Sequence, residues 1–128
     1  MDWGDGVSLP TPYYQEEGIT IYNGDCREIM PFLDPVNEDP IDLVLTSPPY
    51  DNLRNYAGFN FDFEAIAKLI YEKVAEGGAV VWIVGDSVED GGETLTSFKQ
   101  ALYFQALGLK MHDTMIYQKT EAFVSSTN

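Results

Sequence analysis

The sequence predicts an α/β domain with a mostly parallel sheet and flanking helices, because strand-like runs alternate with segments of helical periodicity. Residues 41–45 have the β-branched and aliphatic content of a buried strand, and residues 79–84 are apolar on both faces of a strand, as expected for a central strand of a parallel sheet. Between them, residues 62–75 carry apolar side chains at helical spacing. This order predicts a central strand, a covering helix and a second central strand.

Size and composition limit the class of protein. The chain has 128 residues, 45% of them hydrophobic, which predicts one globular domain over residues 15–119. Residues 1–14 are expected to form an irregular arm and residues 120–128 a polar tail. The net charge is −14 with only seven Lys and Arg, which argues against strong DNA binding by this chain alone.

Cysteine content and hydropathy bear on the compartment. The single cysteine, Cys26, excludes an internal disulfide and is weakly consistent with a reducing compartment. No leader and no apolar run long enough to cross a bilayer is evident. We therefore expect a cytoplasmic protein without a membrane partner.

The first predicted strand covers residues 19–22, and Asn23-Gly24-Asp25 ends it. Asp25 is placed to cap a helix over residues 26–32. A loop then leads to the strand at residues 41–45, which runs into Thr46-Ser47-Pro48-Pro49-Tyr50. The two prolines fix their own φ angles and bias Ser47 towards an extended conformation. A rigid loop at the carboxyl end of a strand is where open α/β sheets bind ligands, although an ordinary strand-ending turn is the alternative.

The second helix is predicted to begin after Asp62 and to end at Gly77-Gly78. Trp82, in the strand that follows, is assigned to the core. Residues 85–92 form a predicted loop whose acids are expected to be solvated, since their spacing lacks the pattern of a calcium site. The acids are Asp86, Glu89 and Asp90, together with Glu93 directly after the loop.

A third helix is predicted from a Thr94 cap to about residue 107, with Gly108 ending it. Its buried stripe is predicted to consist of Phe98, Leu102, Gln105 and Ala106. Residues 111–119 are predicted to form a last strand. The single histidine, His112, has no ligand partners at suitable spacing, so no metal site is predicted.

The run Thr46-Ser47-Pro48-Pro49-Tyr50, followed by Arg54 and Tyr56, resembles the catalytic motif of amino-group DNA methyltransferases that use S-adenosylmethionine. The Ser form is commonest in N4-cytosine enzymes, and an acid in that position is commoner in N6-adenine enzymes. The resemblance implies a catalytic set of Ser47, Pro48, Pro49 and Tyr50. The Ser47 hydroxyl and the Pro48 carbonyl would accept hydrogen bonds from the target amino group, and Tyr50 would stack on an extruded base.

The resemblance also implies a cofactor set of Asp25, Cys26 and Thr46. In this family a Gly-Asp pair upstream of the motif places its acid at the cofactor adenine. Asp25 would then accept from the adenine amino group, a role that could coexist with a helix cap. Arg54 could meet a DNA phosphate or pair with an acid.

The order of motifs resembles the β-type arrangement from about residue 14 to residue 119, and corresponds to its first half. No Phe-x-Gly-x-Gly cofactor loop follows. The resemblance therefore implies a partial Rossmann-like fold in which only two of the family's sheet strands would be neighbours. We expect the sheet either to close up locally or to be completed by a second copy or a complementing chain, and DNA to be bound through a recognition segment that this sequence lacks. A non-catalytic remnant, an assembly subunit and an unrelated α/β binding module are the alternatives.

Overall fold

The computed structural model describes residues 9–33, 40–49 and 61–120 of the chain. Most of the predicted arm and tail, and the motif residues Tyr50, Arg54 and Tyr56, lie outside these ranges. The described strands are β1 (Tyr14–Glu16), β2 (Ile19–Ile21), β3 (Ile41–Thr46), β4 (Val74–Trp82), β5 (Val88–Glu89) and β6 (Gly92–Glu93). The described helices are α1 (Cys26–Ile29), a 3₁₀ turn (Met30–Phe32), α2 (Phe63–Lys73) and α3 (Thr96–Leu107).

Strands β3 and β4 form the predicted parallel pair and are joined through α2. Their register places Val44 beside Val80 and Thr46 beside Trp82. Beyond the last pair, the Ile83 amide donates to the Thr46 carbonyl at 3.0 Å. A strand–helix–strand crossover is the usual way to connect neighbouring parallel strands, and the prediction of this unit is confirmed.

The core lies between this strand pair and the two longer helices. Ala67 and Ile70 of α2 and Phe104 of α3 are buried together, and Val44, Val80 and Trp82 pack against them. Val44, Val80 and Trp82 lie on one face of the strand pair, because alternate residues of a strand share a face. Both helices therefore cover the same face.

Trp82 is central to this core, as predicted. Its ring centroid lies 5.2 Å from that of Phe104 and 5.6 Å from that of Phe63, both in edge-on arrangements. Its indole Nε1–H donates to the Gln100 side-chain oxygen at 2.8 Å. The bond gives partners to the indole N–H and to the side-chain oxygen of the buried Gln100.

Helix α2 begins as predicted but ends earlier. The Asp62 side chain accepts from the Ala65 amide at 3.2 Å, which confirms the cap. The helix stops at Lys73, and Gly77-Gly78, predicted to end it, lies inside β4. The strand pair is irregular between Ile41 and Leu43, where Gly77 takes a φ of 80°. The glycines thus accommodate a break in the ladder rather than a helix end.

The start of α3 differs from the prediction. Leu95, with a φ of 57°, occupies the cap position without a side-chain hydrogen bond, so Thr94 is not the N-cap. The Asp86 carboxylate instead accepts from the Ser97 amide at 2.7 Å and from the Ser97 hydroxyl at 2.5 Å. Asp86 is therefore a structural residue, and the expectation that it is merely solvated is wrong.

The buried face of α3 is also not the predicted one. Phe98 and Leu102 are 61% and 64% exposed, and Gln105 and Ala106 are exposed as well. Gln100 and Phe104 face the core instead. The Gln100 side-chain oxygen accepts from the Trp82 indole, and the Phe104 ring packs against the rings of Phe63 and Trp82. Gly108 ends the helix as predicted.

Two short antiparallel hairpins flank the parallel pair in the sequence. In the first, β1 and β2 pair with each other, so Tyr14 belongs to a strand although it was assigned to the arm. In the second, β5 and β6 lie within and just after the predicted loop at residues 85–92. Asp90 and Gly91 have φ angles of 51° and 81°, the left-handed pair that a two-residue type I′ turn requires.

The predicted last strand is absent. Residues 111–119 form no strand and are exposed, with Met115, Ile116 and Tyr117 between 79% and 89% accessible. Strand composition alone is insufficient where no neighbouring strand supplies hydrogen bonds. None of the helices in the described ranges is long and apolar enough to cross a membrane.

Candidate functional site

The carboxyl edge of the parallel pair, where β3 and β4 end side by side, carries the described part of the Ser-Pro-Pro motif. Thr46 is the last residue of β3 and lies opposite Trp82, the last residue of β4. Ser47 is exposed, Pro48 is buried and Pro49 is half-buried. The buried proline anchors the turn while the Ser47 side chain remains accessible to solvent.

The loop after β4 leaves from the same edge. It reaches Asp86, whose two hydrogen bonds to Ser97 tie the loop to the first turn of α3. Sequence analysis missed this role, because Asp86 lies eleven residues before Ser97 and does not occupy the N-cap position of α3. Asp86 therefore fixes how the loop after β4 is attached to α3.

Helix α1 runs alongside α2 in the same direction. At one end, the Lys73 ammonium donates to the Pro31 and Leu33 carbonyls at 3.2 and 2.7 Å. At the other end, the Asp62 carboxylate contributes to raising the pKa of Arg27, after the larger effects of the hydrogen bond and charge of Asp25. Asp25 and Cys26 therefore lie near the amino end of α2.

That end of α2 is also the end at which the motif lies. Phe63, the first residue of α2, contacts Trp82 with ring centroids 5.6 Å apart, and Trp82 ends β4. The other end of α2 continues directly into the start of β4. The fold thus brings the predicted cofactor residues and the described motif residues to the same end of the strand pair.

Asp25 is held by its neighbour Arg27. Its carboxylate accepts from the Arg27 amide at 2.9 Å, which confirms the helix cap, and from the Arg27 guanidinium at distances down to 2.6 Å. The side-chain hydrogen bond from Arg27, followed by the backbone one, lowers the pKa of Asp25 to about 2. Asp25 is an ionised acceptor at neutral pH whose side chain is 36% exposed.

The Cys26 thiol lacks the lowered pKa of a reactive cysteine. Desolvation, followed by the negative charge of Asp25, raises the pKa of Cys26 above its ordinary value. The thiol form is therefore favoured, and Cys26 is suited to van der Waals contact rather than to nucleophilic attack.

The described residues show no metal-binding cluster. Within residues 9–33, 40–49 and 61–120 there is no group of three or more potential metal ligands. A shallow depression of about 540 Å³ lies beside the β5–β6 hairpin, lined by Glu89, Asp90, Glu93 and Lys99 among others. Of the described motif residues Thr46, Ser47, Pro48 and Pro49, none lines this depression.

Comparison with known proteins gives one informative relationship. The chain is 56% identical over 84 residues to the orphan methyltransferase M.BamHII of Bacillus amyloliquefaciens. These residues are 66% of this chain but 32% of that protein, so the chain spans about a third of the length of the curated relative that it matches. No family model and no solved structure matches. The similarity supports a relationship between this chain and methyltransferases.

Proposed function

We propose that the chain is the catalytic portion of a DNA methyltransferase that transfers a methyl group from S-adenosylmethionine to an exocyclic amino group. Cytosine N4 is the favoured target and adenine N6 the second possibility. One observation carries the proposal: a Ser-Pro-Pro turn stands at the carboxyl end of a parallel strand, in a chain that is 56% identical over 84 residues to a protein named as a methyltransferase. The proposed setting is the cytoplasm; the similarity to an orphan methyltransferase does not favour a restriction–modification system over methylation alone.

The chemistry assigns a separate task to each motif residue. An exocyclic amino group is a weak nucleophile because its lone pair is delocalised into the base. The Ser47 hydroxyl and the Pro48 carbonyl would accept its hydrogens and stabilise the positive charge that develops on nitrogen. Pro49 keeps the turn rigid, and Tyr50, outside the described residues, would stack on the extruded base. Positioning supplies much of the remaining rate enhancement.

The cofactor proposal rests on Asp25, Cys26 and Thr46. S-adenosylmethionine would supply an electrophilic methyl group. The exposed, ionised Asp25 carboxylate fits the amino group of an adenine, which needs an acceptor. Because Arg27 already engages both oxygens, an adenine would have to share that carboxylate. Thr46 lies at the carboxyl edge and Cys26 directly follows the cap residue.

A second candidate is a non-catalytic remnant or assembly subunit of such an enzyme. It is favoured by the net charge of −14, which argues against DNA binding by this chain alone. DNA would then be held by a basic segment that this sequence does not contain.

Titration calorimetry with S-adenosylmethionine tests the cofactor half of the proposal on the chain alone. Micromolar binding, about −8 kcal/mol, is expected to weaken in Asp25→Ala. Arg27→Met, which frees the carboxylate, is expected to bind at least as tightly as the natural chain. Absence of binding to the natural chain would contradict the assignment of Asp25, Cys26 and Thr46.

Transfer of a labelled methyl group to unmethylated DNA tests the catalytic half. We expect Ser47→Ala to lose most of the activity, and Thr20→Ala, an exposed change in β2, to leave it unchanged. Mass spectrometry of the released nucleosides distinguishes N4-methylcytosine from N6-methyladenine. Cofactor binding without any transfer would favour the non-catalytic subunit.

A further inference from the structure

We propose that Asn23 is a site of spontaneous covalent modification, namely deamidation through a cyclic imide formed with the backbone nitrogen of Gly24. Asparagine is a thermally labile residue, and a glycine that follows it has no side chain to block the approach of its own nitrogen. The sequence contains six asparagines, and only Asn23 is followed by glycine. The modification concerns the chain itself and does not depend on methyl transfer.

The reaction needs only the chain and water. The Gly24 nitrogen, after losing its proton, attacks the side-chain carbonyl carbon Cγ of Asn23. The side-chain nitrogen leaves as ammonia, with a proton that offsets the one lost by Gly24. Water then adds to one of the two carbonyl groups of the cyclic imide and opens it. Opening on one side gives aspartate, and opening on the other gives isoaspartate, in which the main chain runs through Cγ.

The segment that contains Asn23 is a short link between two elements. Strand β2 ends at Ile21, whose carbonyl accepts from the Tyr13 amide at 2.7 Å, and α1 begins at Cys26. Asn23 and Gly24 are both exposed, and neither makes a hydrogen bond within the described part of the chain. A backbone without such bonds changes conformation at low free-energy cost, so the fold leaves the imide geometry accessible.

The Asp90-Gly91 pair is the matched case of a protected site. Cyclic imides also form at Asp-Gly, with loss of water instead of ammonia. Here the two residues are the turn between β5 and β6, with φ angles of 51° and 81°, and the strands pair on either side of them. Ring closure requires the main chain at Asp90 to rotate, which the paired strands oppose. The fold is therefore expected to slow the reaction at Asp90 but not at Asn23.

The products change the chain directly before helix α1. Either product adds one negative charge at residue 23, and isoaspartate also adds a carbon atom to the main chain. Gly24 is held on the helix side, because a Cβ built there would lie 3.1 Å from Cδ1 of the buried Ile29. The added main-chain length therefore falls on the link from β2, two residues before the helix cap Asp25.

The test compares the full 128-residue chain with two synthetic peptides, residues 19–27 and 86–95, in the same mildly alkaline buffer. Mass spectrometry at successive times reports the replacement of NH by O at residue 23. Electron-transfer fragmentation identifies isoaspartate at residues 23 and 90. At Asn23 the rate in the chain should lie within about tenfold of that in the peptide, and at Asp90 it should be at least about tenfold lower than in the peptide.

Two controls identify the residue and the role of the fold. Asn23→Gln, which forms the corresponding imide far more slowly, should remove most of the time-dependent gain of negative charge seen by ion-exchange chromatography. In urea at a concentration that unfolds the chain, both sites should react at the rates of their peptides. A rate at Asn23 more than about tenfold below that of its peptide would overturn the proposal, because the fold would then protect the site. An unchanged gain of charge in Asn23→Gln would also overturn it.

Discussion

At the scale of single residues, the Asp25–Arg27 pair combines a helix cap with an ion pair at the proposed cofactor site. The cap was predicted from sequence because Asp is a preferred N-cap residue in front of a helical segment. The ion pair was not predicted, since residues two apart meet only when the cap geometry turns one side chain back. The sequence therefore predicted the helix cap but not the ion pair.

The low pKa of Asp25 gives a pH dependence with a definite sign. Its folded-state pKa of about 2 lies below the ordinary value of 3.8, so its stabilising contribution is present above about pH 4. That contribution should be lost as the pH falls from about 4 towards about 2. Urea unfolding of the natural chain and of Asp25→Asn, which retains a capping oxygen, should therefore converge over this interval.

The control for this prediction removes the main cause of the pKa shift. In an Arg27→Met background, the effect of Asp25→Asn should depend less steeply on pH over the same interval. An unchanged pH dependence would show that Arg27 is not responsible.

The Trp82–Gln100 hydrogen bond gives a second prediction at this scale. Gln100→Leu leaves the indole N–H without its acceptor and is expected to lower the free energy of unfolding by about 1–3 kcal/mol. Trp82→Phe leaves the buried Gln100 oxygen without its donor and also removes packing. In a double-mutant cycle, the combined variant should lose less stability than the sum of the two single variants. Additive losses would mean that the bond contributes nothing of its own.

At the scale of elements, both the backbone conformation and the neighbouring atoms favour glycine at the position directly after α3. Gly108 has a φ of 122°, and a Cβ built there would lie 2.8 Å from the Tyr71 hydroxyl oxygen. Gly108→Ala is therefore expected to lower the free energy of unfolding by about 1–3 kcal/mol in thermal or urea unfolding. Gly92→Ala is the matched control, because no atom comes closer than 4.0 Å to its added Cβ and its φ is not positive. Equal effects of the two changes would contradict this account.

Elements that depend on local signals were the predictable ones. The apolar run of β3, the periodicity of α2 and the glycine ending α3 were each found close to where the sequence placed them. The buried face of α3 was not predictable by apolar content, because a polar residue, Gln100, is buried through its bond to Trp82. That bond joins residues of different elements, and helical periodicity carries no information about it.

At the scale of the whole molecule, the sequence predicted the parallel pair but not the number of strands that join it. The segments at residues 19–22 and 111–119 both have strand composition. The first pairs with β1 in a separate hairpin, and the second has no strand partner. Composition reports only that a segment suits a sheet; which strands come together depends on the complete set of neighbours.

The candidate site was likewise predictable only in part from the sequence. The sequence identified Ser47, Pro48 and Pro49, and the structure places them at the carboxyl edge. It could not show that Asp86 ties the neighbouring loop to α3, because this contact spans eleven residues and two elements. The assignment of these residues to catalysis stays a prediction until methyl transfer is measured.

The crossover from β3 through α2 to β4 also has a consequence for the kinetics of folding. The two hairpins close over a few residues, whereas Val44 must meet Val80 across the whole intervening segment. Closing that long loop is entropically costly before any parallel ladder bonds form. The hairpins are thus expected to form and dissolve rapidly, while docking of α2 onto the two strands sets the rate at which the native chain appears.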